Sequence, residues 1–234
     1  MQGHAPPRRL EPIGWPARWL RFGVIAVTLA TAWAGIAVYH ELLAVIERQF
    51  TYPPLSMLVE RNARVGDAMS LAVVTWLVTL TMLPIWLYRA WTNVARRGVN
   101  DRLSAGQAVA LWFIPGVNLV ASYVVLAALW RGSDVDASHR GVPRPVALWW
   151  ALHTTAVLTV AAVLWLRPPD ITATGWLIGD VALVAAALLE VAAGVAFFHV
   201  ATRITSMQQH LLDAEAGAGR EELWASMRGT WLKE

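Results

Sequence analysis

The sequence predicts an all-α polytopic membrane bundle of four transmembrane helices plus one proline-broken re-entrant segment. Three observations lead there. Of 234 residues, 57% are hydrophobic and only 15% charged, with a mean hydropathy of +0.47. A soluble domain carries about 25% charged residues. The apolar residues gather into five runs, most of them near the roughly 20 residues that a bilayer core requires. Arginine is spread unevenly over the segments that join those runs.

Residues 1–17 are rich in Pro and Arg and read as a cytoplasmic tail. The first run spans Phe22 to Val38 and continues helically toward Ile46. Ala30-Thr31-Ala32 resembles a signal-peptide cleavage site, but the run stays apolar beyond it, where a signal peptide turns polar. Residues 40–68 read as a polar linker with short surface helices, broken by Pro53-Pro54. The second run extends from Met69 to Trp86. The third, Ala105 to Trp130, is interrupted by Pro115-Gly116-Val117-Asn118. The fourth covers Val146 to Leu166, and Arg167-Pro168-Pro169-Asp170 turns the chain into the fifth, Ile171 to Ala201. Residues 18–205 then form the membrane domain. Residues 206–234 form a cytoplasmic amphipathic tail, with Leu223, Trp224, Met227 and Trp231 at helical spacing.

Charge decides how many runs cross. Cytoplasmic loops hold an excess of Lys and Arg. If all five runs cross, the 19 basic residues divide 9 inside to 10 outside, which is no bias. If the third run enters and returns, the division is 15 to 4. A helix over residues 105–114 would reach about 15 Å, half of a hydrocarbon core of about 30 Å. Pro115 and Gly116 are poor continuations of it. The alternative is a single helix kinked at Pro115, giving five spans. The re-entrant arrangement places both termini in the cytoplasm and the protein in the cell inner membrane. Trp15, Trp19, Trp86, Trp91, Trp130, Trp149 and Trp150 then fall at the inner interface, and Trp165 and Trp176 at the outer one, levels that tryptophan favours.

Residues 86–133 carry a recognisable pattern. It runs Trp86-Leu87-Tyr88-Arg89-Ala90-Trp91-Thr92-Asn93, Leu103-Ser104, Trp112-Phe113-Ile114-Pro115-Gly116-Val117-Asn118-Leu119, Tyr123 and Trp130-Arg131-Gly132-Ser133. This resembles the mainly actinobacterial membrane family catalogued as domain of unknown function 4328. The chain departs from that pattern at Ala105 and Ser122, where the family usually has proline. The resemblance implies a multi-pass membrane protein and no established activity.

Two carboxylates, Asp180 and Glu190, lie inside apolar runs, where ionisable groups are costly and tend to face protein. Asp180 reads as interfacial. Glu190 lies about 16 Å of helix from Ala201. It shares a stripe with Gly179, Ala182, Ala186 and Ala193, and small residues let helices approach closely. That stripe suits a neighbouring helix, a membrane-protein partner or a second copy of the chain. His153 lies about 10 Å from the start of the fourth run. Depth therefore groups Asn118, His153 and Glu190 as a mid-membrane polar cluster. A Glu190 paired to His153 suits a proton or cation path, whereas one bonded to Asn118 is structural. A second grouping, Arg89 and Asn93 against Trp130 and Arg131, is expected at the inner face, with plain interfacial anchoring as its alternative.

Other classes find little support. There is no cysteine, so thiolate chemistry and disulfides are excluded. No metal-ligand motif, phosphate loop, catalytic carboxylate pair or nucleophile elbow occurs. His153 and His199 differ in depth, against a haem pair, and no cofactor is implied. The basic excess reads as helix flanks facing a lipid bilayer, with no nucleic acid as partner. The sequence thus favours a non-catalytic protein that binds partners or organises a complex. The alternative is a component of an ion, proton or small-solute transporter or channel that uses a mid-membrane carboxylate.

Overall fold

The computed structural model describes residues 10–47, 55–98, 103–134, 143–166 and 173–231, and among these it is all-helical. The helices are α1 (Gly14–Glu47), α2 (Leu55–Arg96), α3 (Ala105–Ala110), α4 (Val117–Ser133), α5 (Arg144–Leu166) and α6 (Ala173–Trp231). Four of them, α1, α2, α5 and α6, are long and apolar enough to cross a membrane, and α4 is a shorter apolar helix. The chain is a multi-pass helical membrane protein.

Local chemistry sets the helix ends. Pro16 lies in the first turn of α1, where its missing N–H has no helical partner to lose. Pro84 lies inside α2, and there it removes one i→i−4 bond. Gly98, at φ +71°, closes α2 in the left-handed region that favours glycine. A capping box starts α3: the Ser104 hydroxyl accepts from the Gln107 N–H, and the Gln107 side chain accepts from the Ser104 N–H. The segment stops its helix earlier than Pro115. Trp112 and Phe113 donate to Val109 and Ala110 carbonyls in tight i→i−3 turns. Pro115 has no N–H to give, and Gly116 at φ +78° leads into α4.

Two expected boundaries shift. The segment read as a broken linker is largely helical on both sides, because α1 runs to Glu47 and α2 begins at Leu55. The fifth run and the tail are one helix of 59 residues. The side chains of Leu223, Trp224, Met227 and Trp231 lie outside the described residues.

The chain forms two compact units. Unit 1 comprises Met1–Arg18, Ile85–Gly141 and Ala201–Glu234, and unit 2 comprises Trp19–Pro84 and Val142–Val200. Within unit 2 small residues bring helices together. Gly23 of α1 abuts Thr79 of α2, Gly35 of α1 abuts Ala187 of α6, and Gly194 of α6 abuts Thr28 of α1. Its outward faces carry Phe22, Leu29, Trp33, Val74, Leu77, Leu158, Val181 and Leu188, all exposed. Apolar side chains this numerous on an outer face match a lipid surrounding. Asp180, read from sequence as interfacial, is buried.

Unit 1 has a different core. Ile13, Ala17, Trp86, Leu87, Ala90, Trp91, Val94, Leu126, Leu129 and Ile204 are buried. On α2 the positions 86, 87, 90, 91 and 94 form one helical stripe. Gly132 of α4 packs directly on the Val94 side chain.

Candidate functional site

Unit 2 holds an ionisable pair. α5 presents His153 and α6 presents Glu190. The His153 Nδ1 lies 3.0 Å from Oε1 and 3.1 Å from Oε2 of Glu190. With its proton on Nδ1, the imidazole donates to the carboxylate. Trp149, one turn earlier on α5, stacks on the imidazole at 5.7 Å between centroids and 11° between planes. Phe197 of α6 packs in turn against Trp149 at 5.2 Å. The ring plane is thus set by an i, i+4 neighbour on its own helix. Each side chain of the pair keeps 31% of its surface exposed, so the pair is reachable from outside the helix packing.

Glu190 also lines a half-open cavity of about 320 Å³. The cavity lies toward the C-terminal end of α5 and the N-terminal end of α6. Its walls come from α1, α2, α5 and α6, with Val38, Met69, Ala72, Val160 and Leu183 among them. Thr31 and Glu190 are the polar members of the lining, and Glu190 is its ionisable one. Ala186, which belongs to the small-residue stripe, also lines it and is buried, as is Ala193. Half of the stripe is therefore covered by the chain's own helices.

Unit 1 holds a buried hydrogen-bond network. The Asn93 Oδ1 accepts from the Glu11 N–H at 2.7 Å, and its Nδ2 donates to the Glu11 carbonyl at 3.0 Å. That amide thereby clamps one backbone residue through both of its polar groups. Nδ2 also donates to Oε1 of Gln208 at 3.1 Å. Gln208 donates onward to the Ala90 carbonyl and to the Ser133 hydroxyl, at 3.0 and 2.9 Å. Around this core, Arg89 donates to the Pro12 carbonyl at 2.9 Å and lies over the Trp15 ring at 5.1 Å. Arg96 pairs with Glu11 at 2.8 Å. Asn93→Ala removes the clamp on half-buried Glu11 and strands buried Gln208, so a loss of roughly 2 kcal/mol is expected. Thermal unfolding in mild detergent measures it, and an unchanged midpoint would mean that Glu11 and Gln208 find other partners.

The structure brings His153 and Glu190 together. Asn118 belongs to the other unit, in the first turn of α4, where its N–H donates to the Ile114 carbonyl. Arg89 and Asn93 engage Glu11, Pro12, Trp15 and Gln208. α4 joins them through Ser133 and, by the Arg97 bond to its carbonyl, Gly132. Trp130 is half-buried, and Arg131 is exposed with its Nε donating to the Ala127 carbonyl one turn back. Trp86, Trp91 and Trp149 are buried rather than facing a lipid interface. Position along the helix is read from the sequence, but the direction of the side chain is not. The Trp86 N–H donates to the Thr205 hydroxyl and the Trp91 N–H to the Leu103 carbonyl, so protein satisfies the donor that headgroups would otherwise serve. Sequence reading missed Gln208. Its signal was the buried succession 197, 200, 201, 204, 205 and 208, a helical stripe running past the apolar run.

His199 is exposed on α6, while His153 is turned to Glu190. Among the described residues, no three His, Cys, Asp or Glu side chains converge as a metal site would need.

Residues 57–206 match the family model described as domain of unknown function 4328. No curated protein and no solved structure matches the chain.

Proposed function

The chain belongs to that family, and from this premise we propose that it is a non-catalytic membrane protein binding a proton or small solute at His153–Glu190, as part of a transporter or channel. One observation carries the reading: a carboxylate, bonded through both oxygens to an imidazole, stands at the edge of a cavity between apolar helices. Ionisable side chains in membrane helices are costly, and they concentrate on ion and proton paths. An imidazolium–carboxylate pair and a neutral imidazole–carboxylic acid pair differ only in which partner holds one proton, and both have zero net charge, so a proton can pass between the two side chains without leaving an isolated charge in the apolar surroundings. The complex-organising role, which the sequence alone favours, has less support, because two members of its small-residue stripe are buried within unit 2.

The test is proton flux into liposomes, read by an enclosed pH-sensitive dye. Wild-type protein should exceed protein-free vesicles. Glu190→Gln, which keeps the shape and removes the titrating group, should lower the excess by about tenfold, equivalent to about 1.4 kcal/mol in a barrier. Equal flux in wild type and variant rejects the reading.

The same proposal includes a re-entrant 105–130 segment, with both chain ends in the cytoplasm. Two hydrogen bonds support it. Before α3, the Leu103 carbonyl is bound by Trp91, and at the end of α4 the Gly132 carbonyl is bound by Arg97. Both ends of the segment are thus tied to one stretch of α2 about 9 Å long. The 17 residues of α4 reach about 26 Å, short of a core of about 30 Å. On this cysteine-free chain, Asn100→Cys and Ala137→Cys should label from the same side of sealed vesicles. Labelling from opposite sides rejects re-entry.

A further inference from the structure

We propose that the unit 2 cavity binds a small lipophilic amine, with the ammonium on Glu190 and an apolar body of about one aryl ring against the helix walls. This rests on Glu190 as the binding group of the proposed function and adds the class of ligand. Three features of the lining select it. The volume of about 320 Å³ lies at the small end of ligand pockets, which span roughly 300–1,000 Å³. The ionisable member of the lining is a carboxylate, which repels anions and favours a cation. The walls are otherwise apolar apart from the Thr31 hydroxyl.

That last feature separates an amine from an inorganic cation. A hard metal cation takes about six to eight oxygen ligands. Glu190 and Thr31 supply three oxygens between them, and alkyl walls supply none. An ammonium needs fewer acceptors, and its apolar body gains roughly 25 cal/mol for each Å² it buries. His153 need not leave when the amine arrives. An ionised carboxylate offers about four lone-pair sites, so Glu190 accepts from Nδ1 on one side and from the ammonium on the other. His153 itself does not line the cavity; it orients the carboxylate from behind, with Trp149 holding its ring.

The test uses purified full-length chain in lipid nanodiscs and equilibrium dialysis with three probes of one shape. These are 3-phenylpropylamine, 3-phenylpropan-1-ol and 3-phenylpropionate, with empty nanodiscs correcting for partition into lipid. The amine should saturate at one per chain, and the alcohol and acid should bind at least about tenfold more weakly, a difference of about 1.4 kcal/mol. Glu190→Gln should weaken the amine by a similar factor. Ala72→Leu, which fills the cavity, should weaken amine and alcohol alike. If a variant fails to fold, the comparison of the three probes on wild type still decides. Equal binding of amine and alcohol overturns the proposal and leaves a cavity for an apolar body such as an acyl chain. Amine binding that survives both folded variants also overturns it. Loss of the amine result with Glu190-dependent proton flux intact defeats this inference alone. Amine binding without any such flux defeats the proton reading and keeps the binding site.

Discussion

Gln208→Ala is expected to destabilise the protein by roughly 3 kcal/mol, the largest loss from any single polar side chain described above. Gln208 is 1% exposed and joins Asn93, Ala90 and Ser133. Truncation strands the Asn93 amide hydrogen and the Ser133 hydroxyl in a dry site, and each stranded group costs about 1–3 kcal/mol. It also opens a void where the side chain stood. For a protein of this size the thermal midpoint should fall by roughly 6–12 °C. Because Asn93 and Gln208 share one bond, the double variant with Asn93→Ala should cost less than the two singles together. The coupling should be about 1 kcal/mol. Additive losses would show that the two amides act independently. A midpoint unchanged in Gln208→Ala would show that water replaces the amide.

Substitution of Gly194 should have a comparable effect through packing. A Cβ on Gly194 meets the Thr28 hydroxyl, with Cβ and Cγ2 of Thr28 at 3.2 and 3.3 Å. The Thr28 hydroxyl donates to the Val24 carbonyl at 2.7 Å, so turning it aside breaks that bond. Gly194→Ala should cost about 1–3 kcal/mol by overpacking, and Gly194→Leu more. Thr28→Ala removes the hydroxyl and the methyl, leaving only Cβ at 3.2 Å, and should restore much of the stability of Gly194→Ala. Failure of that rescue would locate the glycine's importance elsewhere than in the α1–α6 contact. The same contact region holds Gly35 against Ala187. Both substitutions should therefore also reduce the occupancy of any ligand in the cavity that these helices line.

The four long helices were legible because length and apolarity alone specify them. The Glu190–His153 pairing was half legible. Counting 1.5 Å per residue gives depth, and depth put the two residues within reach of each other. The count gives no rotation, so it could not say which way either side chain turns; Asn118, grouped with them by the same count, lies in the other compact unit. The tryptophans show the same limit. Trp86 and Trp165 both suit an interfacial level, yet one is fully buried and the other 89% exposed. Gln208 was hidden for another reason. Hydropathy falls away after Ala201, and a polar residue beyond that point reads as solvated tail. The stripe of buried positions continues through it because a helix keeps its period after its composition changes. The extra turns of α1 follow similarly, since residues 39–47 hold neither proline nor glycine, whereas those of α2 run through Gly66.

The network in unit 1 ties together stretches far apart in the chain. Glu11 and Asn93 are 82 residues apart, and Asn93 and Gln208 are 115 apart. A ribosome adds roughly 5–20 residues per second, so Asn93 emerges about 6–23 s before the partner that completes its bonding. During that interval the early helices are already made while the knot that fastens them is open. A nascent chain is thus fastened late, when α6 arrives, and a ribosome stalled before Gln208 leaves an unlatched protein for membrane proteases to find. The last helix acts as the clasp of the fold.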